Sequence, residues 1–466
     1  MKSLKNPRLT ALTGISVLSG ILYLSLIFNN NLWVDEAFSA CIIRGSFADM
    51  WQKTLSDTLP PFYNVAGWAF TSLTGFNSVS LKLFSVIPML LLLLLNLTAV
   101  RKLFDESAAL VFALMTAAMP HLLHYGVEIR MYSWALFFLS GAAVYAAGAL
   151  TEKLPRALPV LALFTALCGY THHYALIGAA FLWLFLFIFA LFHRKVSKGL
   201  FFWALAAFLL YLPCFVITLR QLRKAGSYFS MQPLGLSSFL SDLRFPFVTN
   251  VTVLSALLLL CFLFFLFTGV LRLKKDSAPF LILISVFYLT LFFGYGVSVA
   301  LGRTFFTARY LVPSLGPFWL GTAGLFAGLP ETIPEKGGKE KVLLIFTAVI
   351  FTAVLAVDYC QAFKEEYIPD PRKMTDFFDS NLSQEDGYII FEDDYQIEIC
   401  MRYYEPELKK TDWDKAPEIS GTLWYFAVPG YEEKLSEVPS HGYRAVYAAD
   451  MSFDRYNFTL YRLYKN

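Results

Sequence analysis

Two adjacent carboxylates, Asp35 and Glu36, follow Trp33-Val34 just past an apolar stretch near the start of the chain. A carboxylate there can point into a cavity between helices. The plainer alternative is an acid at a helix N-terminus, stabilised by the helix dipole. Further along come Asp57-Thr-Leu-Pro60-Pro61-Phe-Tyr63, then His121-Leu-Leu-His124-Tyr125-Gly-Val-Glu128-Ile-Arg130-Met-Tyr132, then Tyr170-Thr171-His172-His173-Tyr174. Basic residues accompany them: Arg130, the cluster Arg220, Arg223 and Lys224, and the pair Arg303 and Arg309 around a short loop. Arginine suits bidentate contact with a phosphate. For any single residue the competing reading is a long side chain snorkelling toward lipid headgroups.

The elements that must position these residues follow from hydropathy. Of 466 residues, 57% are hydrophobic and 16% charged, against roughly 45–50% and about 25% in soluble domains. That composition excludes an ordinary soluble enzyme and a basic-patch nucleic-acid binder. Apolar stretches fall at Leu9–Phe28, Val79–Val100, Ser107–Tyr125, Met131–Leu150, Ala157–Tyr170 and Tyr174–Phe192. Five more follow at Leu200–Leu219, Val251–Leu271, Pro279–Ala300, Tyr310–Leu329 and Val342–Tyr359. Eleven stretches predict about eleven transmembrane helices. The first has no cleavage site after it and is expected to be an anchor.

Orientation follows from Lys and Arg. With the N-terminus inside, the short inner segments carry 16 basic and 7 acidic residues. The first outer loop, 29–77, is then long and aromatic, and is expected to form amphipathic helices on the outer face. His, Tyr and Arg patches from separate loops converge on that face. From Asp358 onward the chain holds 12 Lys+Arg and 22 Asp+Glu, a net −10 that leaves +13 for the part before it. Strand-like runs at Gly387–Phe391, Ile397–Met401, Thr422–Val428, Ala445–Tyr447 and Phe458–Tyr461 predict a small α/β domain there. The expected division is a membrane domain over 1–359 and an extracytoplasmic domain over 360–466. Six scattered cysteines show neither a zinc spacing nor a disulfide framework.

Trp33-x-Asp35-Glu36, Asp57-x-x-Pro60-Pro61-x-Tyr63, Glu128-x-Arg130-x-Tyr132, Tyr170-Thr171-His172 and Arg309-Tyr310 together resemble the bacterial branch of the protein O-mannosyltransferase family, which includes aminoarabinose transferases. The resemblance implies a polytopic glycosyltransferase of GT-C type that takes a sugar from a polyprenyl phosphate at the outer face. One departure is Leu59, where this family often carries His before the Pro-Pro pair. By the same resemblance Asp35 is the general base, and Glu36 orients the acceptor or holds the carboxylate cluster. Arg130, Arg220, Arg223, Lys224, Arg303 and Arg309 are the candidates for the donor phosphate. Asp57, Tyr63, Glu128, Tyr132, His172, His173 and Tyr310 are the candidates for substrate contact.

The implied partners are a polyprenyl-phosphate-linked sugar, an acceptor that is lipid, protein or glycan, and membrane lipids, with no nucleic acid. No cofactor is assigned, and a divalent metal is left open. The implied location is the plasma membrane, multi-pass, with the N-terminus cytoplasmic. The rival is a transporter or flippase of lipid-linked sugars. Transporters show inverted repeats and broken midplane helices, and neither is visible in this sequence.

Overall fold

The computed structural model describes residues 7–193, 197–225, 235–273, 277–327, 338–368, 371–390, 394–428, 432–453 and 456–466. The chain is helical for most of its length. α1 (Pro7–Ser25) is followed by three short helices, α2 (Val34–Ile43), α3 (Phe47–Ser56) and α4 (Phe62–Thr74). The long first loop is therefore folded, and its helices have local causes. The Ser46 hydroxyl caps α3 by accepting from the Asp49 N–H, and Pro61 opens α4.

α5 (Ser78–Leu95) continues through a π-turn into α6 (Arg101–Leu103). After it come α7 (Glu106–Ala118), α8 (Leu122–Val127), α9 (Tyr132–Thr151), α10 (Ala157–Thr171) and α11 (His173–Phe192). The membrane part ends with α12 (Lys198–Ala225), α13 (Leu236–Leu243), α14 (Thr252–Leu273), α15 (Ala278–Leu301), α16 (Val312–Ala327) and α17 (Gly338–Tyr367). Among the described residues the eleven apolar stretches fall mainly on helices, but Ser107–Tyr125 is split between α7 and α8 at Met119-Pro120-His121. Among the described residues, eight helices are long and apolar enough to cross a membrane, so the chain is a multi-pass membrane protein. α7 and α10 are apolar but shorter.

α9 is the hub, packing on α5, α10, α11 and α16. The approach to α16 is close. A Cβ on Gly316 would sit 1.8 Å from the Ser140 hydroxyl and 3.1 Å from its Cβ, so glycine here lets the two helices approach without moving that side chain.

The C-terminal part is a small α/β unit, with α18 (Arg372–Asn381), α19 (Tyr395–Tyr404) and five strands: β1 (Gly387–Ile390), β2 (Lys409–Lys410), β3 (Leu423–Ala427), β4 (Tyr443–Phe453) and β5 (Tyr456–Lys465). The sheet order is β2-β1-β3-β5-β4; β1 runs parallel to β2 and β3, and β5 is antiparallel to β3 and β4. Four of the five strand-like runs lie on strands. The fifth, Ile397–Met401, is helix α19. Its alternation gives a period of two, but the Asp394 carboxylate accepts from the Gln396 and Ile397 N–H groups and starts a helix. Ile397, Cys400 and Met401 then share one buried face at helical spacing.

This unit is bolted to the first loop. Arg44 donates to the carbonyls of Arg402 (3.1 Å) and Tyr403 (2.8 Å). The Tyr404 hydroxyl donates to the Asn30 carbonyl at 2.8 Å and accepts from the Leu32 N–H at 3.0 Å. Beneath them the fully buried Lys82 pairs with Glu366 on α17 and donates to Asn29 Oδ1 at 2.7 Å. One lysine thus ties α5, α17 and the loop after α1 together. All six cysteines are free thiols.

Candidate active site

α2 begins at Val34, so Asp35 and Glu36 fall in its first turn and point in different directions. Glu36 turns inward and is 3% exposed. Its carboxylate accepts from the Ile129 N–H at 2.9 Å and from the Trp33 N–H at 3.2 Å. Burial pushes this carboxyl up to about 7, opposed by the Lys82 charge and the Ile129 N–H. Glu36 therefore clasps the Glu128–Arg130 segment against α2.

Asp35 turns the other way, and its Oδ2 lies 2.5 Å from a guanidinium nitrogen of Arg309. The two side chains are 25% and 32% exposed, so the pair is reachable from solvent. The Arg309 guanidinium also lies over the Trp33 ring, 5.8 Å from its centroid. Arg130 supplies the second cation. It donates to the Ser39 hydroxyl at 3.0 Å and to the Asp35 carbonyl at 3.4 Å, while its Nε is buried with no partner. Burial opposes the Arg130 charge, but Asp35 and the acids around it more than compensate, holding it firmly protonated.

Glu128 is buried behind this centre and accepts from the Trp33 indole at 3.1 Å; its other oxygen has no partner. Burial raises its carboxyl, against the pull of His124 and Arg130.

Asp35, Asp57, Arg130, Arg309 and Tyr310 open together onto one cleft of about 700 Å³. Burial raises Asp57 as well, with Arg130 opposing. The remaining candidates form the surrounding scaffold. The His172 ring packs on Tyr132 (5.7 Å between centroids) and Tyr310 (5.2 Å), and burial pushes its imidazole down to about 3, leaving it neutral. His173 Nε2 is 3.3 Å from the Thr58 carbonyl, and Tyr63 shares a 2.9 Å hydrogen bond with Ser85. Tyr132 is fully buried beside them.

Two other candidates lie off the cleft wall: Arg220 is exposed on α12 and Arg303 is exposed on the turn after α15. The side chains of Arg223 and Lys224 lie outside the described residues.

Sequence reasoning missed the far wall. Tyr395, Ile399 and Arg402 of α19, with Pro406, face α2 and α3 across the cleft, so the C-terminal unit helps build it. Lys53 also lines the cleft and donates to the Cys41 carbonyl at 2.8 Å. The only sequence signal for α19 was Asp394 at its cap. Among the described residues, no group of three His, Cys, Asp or Glu side chains stands close enough to hold a metal ion.

No protein-family model matches the chain, and no curated protein matches it in sequence. Its fold does have counterparts. ArnT from Cupriavidus metallidurans, in crystal structures bound to undecaprenyl phosphate and in the apo state, superposes with TM-scores of 0.63 and 0.62. Each match covers 97% of this chain and 97% of that one, at 11% and 12% identity. The Archaeoglobus fulgidus oligosaccharyltransferase, in complex with Zn and sulfate, matches at TM-score 0.56 and 14% identity over 93% of this chain and 71% of its own. The chain has the GT-C fold.

Proposed function

We propose that this chain is a membrane glycosyltransferase that moves a sugar from a polyprenyl phosphate to an acceptor hydroxyl, with inversion, at the outer face of the plasma membrane. The observation that carries the reading is the Asp35–Arg309 pair, with Arg130 beside it, open to a large cleft in a GT-C fold. A proton acceptor and two leaving-group stabilisers within one pocket are what this transfer needs.

The reaction runs in one displacement. The acceptor oxygen attacks the anomeric carbon as Asp35 takes its proton. The bond from that carbon to the phosphate oxygen breaks, and its electron pair leaves with the lipid phosphate, which Arg309 and Arg130 stabilise. Arg309 is held by Asp35. A lipid phosphate competes for that guanidinium, and its arrival frees the carboxylate to act as base. Glu36 touches no substrate in this scheme and holds the 128–130 segment in place. Asp57, lining the same cleft, is the second carboxylate available to acceptor hydroxyls.

The N-terminus is cytoplasmic and the 360–466 unit lies outside, roofing the cleft. The bias of basic residues toward the inner loops supports this orientation. Mass analysis of envelope lipids and glycans in a deletion strain identifies the sugar and its acceptor. The purified chain, given that donor and acceptor, is expected to release free polyprenyl phosphate and glycosylated acceptor. A lipid-linked sugar stranded in the inner leaflet, with no transfer by the purified chain, would favour a flippase and overturn the reading.

A further inference from the structure

A second polar cavity, of about 270 Å³, shares none of its lining with the cleft. It is lined by His121, His124, Asn250, Asp358, Gln361 and Glu365, contributed by the α8 segment, the loop before α14 and the last turns of α17. Its size falls just below the roughly 300–1,000 Å³ of pockets for drug-sized ligands, leaving room for one small polar ring.

Part of the lining is spoken for. His124 pairs with Glu365 at 3.2 Å, and the Gln361 amide donates to the other oxygen of Glu365 at 2.7 Å. Two buried polar atoms, His121 Nε2 and Asp358 Oδ2, have no partner. Buried polar atoms without partners call for an explanation, since each costs about 1–3 kcal/mol. His121 adds a second sign. It adopts φ +69°, which is uncommon for a residue with a side chain, and its ring stacks on Phe245 at 4.8 Å between centroids.

We propose that this cavity is a saccharide-binding site, separate from the transfer centre, that takes one sugar ring without an acidic substituent. Carboxylates, amides and an imidazole facing one another match the paired donors and acceptors of vicinal hydroxyls. The His121 ring lines the cavity, and its stack on Phe245 fixes the ring's orientation. Asp358, the carboxylate with an unpartnered oxygen, disfavours an anion, which argues against a phosphate or a uronic acid. The reacting sugar is excluded too, because Asp35, Arg130 and Arg309 do not line this cavity.

The test is saturation-transfer NMR on the full chain in detergent, with methyl mannoside, methyl glucoside and methyl glucuronide as probes. Signal is expected from a neutral glycoside and not from the glucuronide. Asp358→Asn and, separately, Asn250→Leu on the exposed loop should each reduce it at least fivefold. Asp35→Asn in the cleft should leave it unchanged, which keeps this result independent of the transfer reaction. The proposal is overturned if neither neutral glycoside gives signal, if both pocket variants retain it, if Asp35→Asn removes it, or if the glucuronide binds equally well.

Discussion

Replacing Asp35 by Asn tests the transfer reading most directly, because it separates two jobs that the Asp35–Arg309 pair combines. Asparagine keeps the size of the side chain and still accepts a hydrogen bond from Arg309, so the cleft keeps its shape. It cannot accept the acceptor's proton. A positioned base is worth roughly 10²–10⁴-fold in rate, or about 3–5 kcal/mol of barrier, and turnover should fall by that factor. Lipid binding should move the other way. The ion pair is partly exposed, at 25% and 32%, so solvent screening limits its worth to about 1 kcal/mol. Freeing Arg309 therefore tightens donor binding by at most about fivefold. Sugar transfer is followed by mass spectrometry, and undecaprenyl phosphate binding by a direct titration of the same preparation. Wild-type turnover in the variant would remove Asp35 as the base. Weaker lipid binding would show that Asp35 supports the donor site instead of competing for its cation.

Arg309→Lys keeps the charge but loses the planar fork and its place over Trp33, and should weaken undecaprenyl phosphate binding about tenfold; unchanged affinity would place the phosphate elsewhere. Lys82→Met leaves Glu366 buried without its cation and should cost about 3–5 kcal/mol, seen as loss of the folded peak in detergent chromatography. Lys82→Met combined with Glu366→Leu should recover most of that loss, and failure to recover would argue against the pair as the cause. Glu36 gives a pH signature: its carboxyl is raised from 4.5 to about 7, so between those values the folded chain binds more protons than the unfolded one. Stability should fall by about 3 kcal/mol as pH rises through that window, and Glu36→Gln should flatten the melting-temperature profile there. Arg44→Ala removes two hydrogen bonds to the end of α19 and should loosen the C-terminal unit by about 2 kcal/mol, read as faster proteolytic cleavage between the two parts.

Much of the architecture was legible because it rests on averages over many residues. A long run of apolar side chains reports a helix whatever it packs against, and among the described residues ten of the eleven runs fall mainly on one continuous helix; Ser107–Tyr125, broken around Pro120, falls on two. The +13 and −10 charges divide the chain into its two parts for the same reason. The Ile397–Met401 misreading shows where this stops. Five residues fit two periods equally well, and a single capping carboxylate, Asp394, decided between them.

The sequence alone determined that Asp35, Glu36, Arg130 and Arg309 exist in a membrane protein whose polar patches gather at one end. Which of them faces the cleft was a tertiary matter. Neighbours on a helix point about 100° apart, so only one of two adjacent acids can look outward, and nothing local says which. The Ile129 N–H took Glu36 inward, leaving Asp35 to meet an arginine 274 residues away. The far wall of the cleft has the same origin: α19 lines it because Arg44, Asn30 and Leu32 hold its end from a loop 359–374 residues earlier. Contacts over such separations depend on how helices stack, and no window of sequence contains both partners.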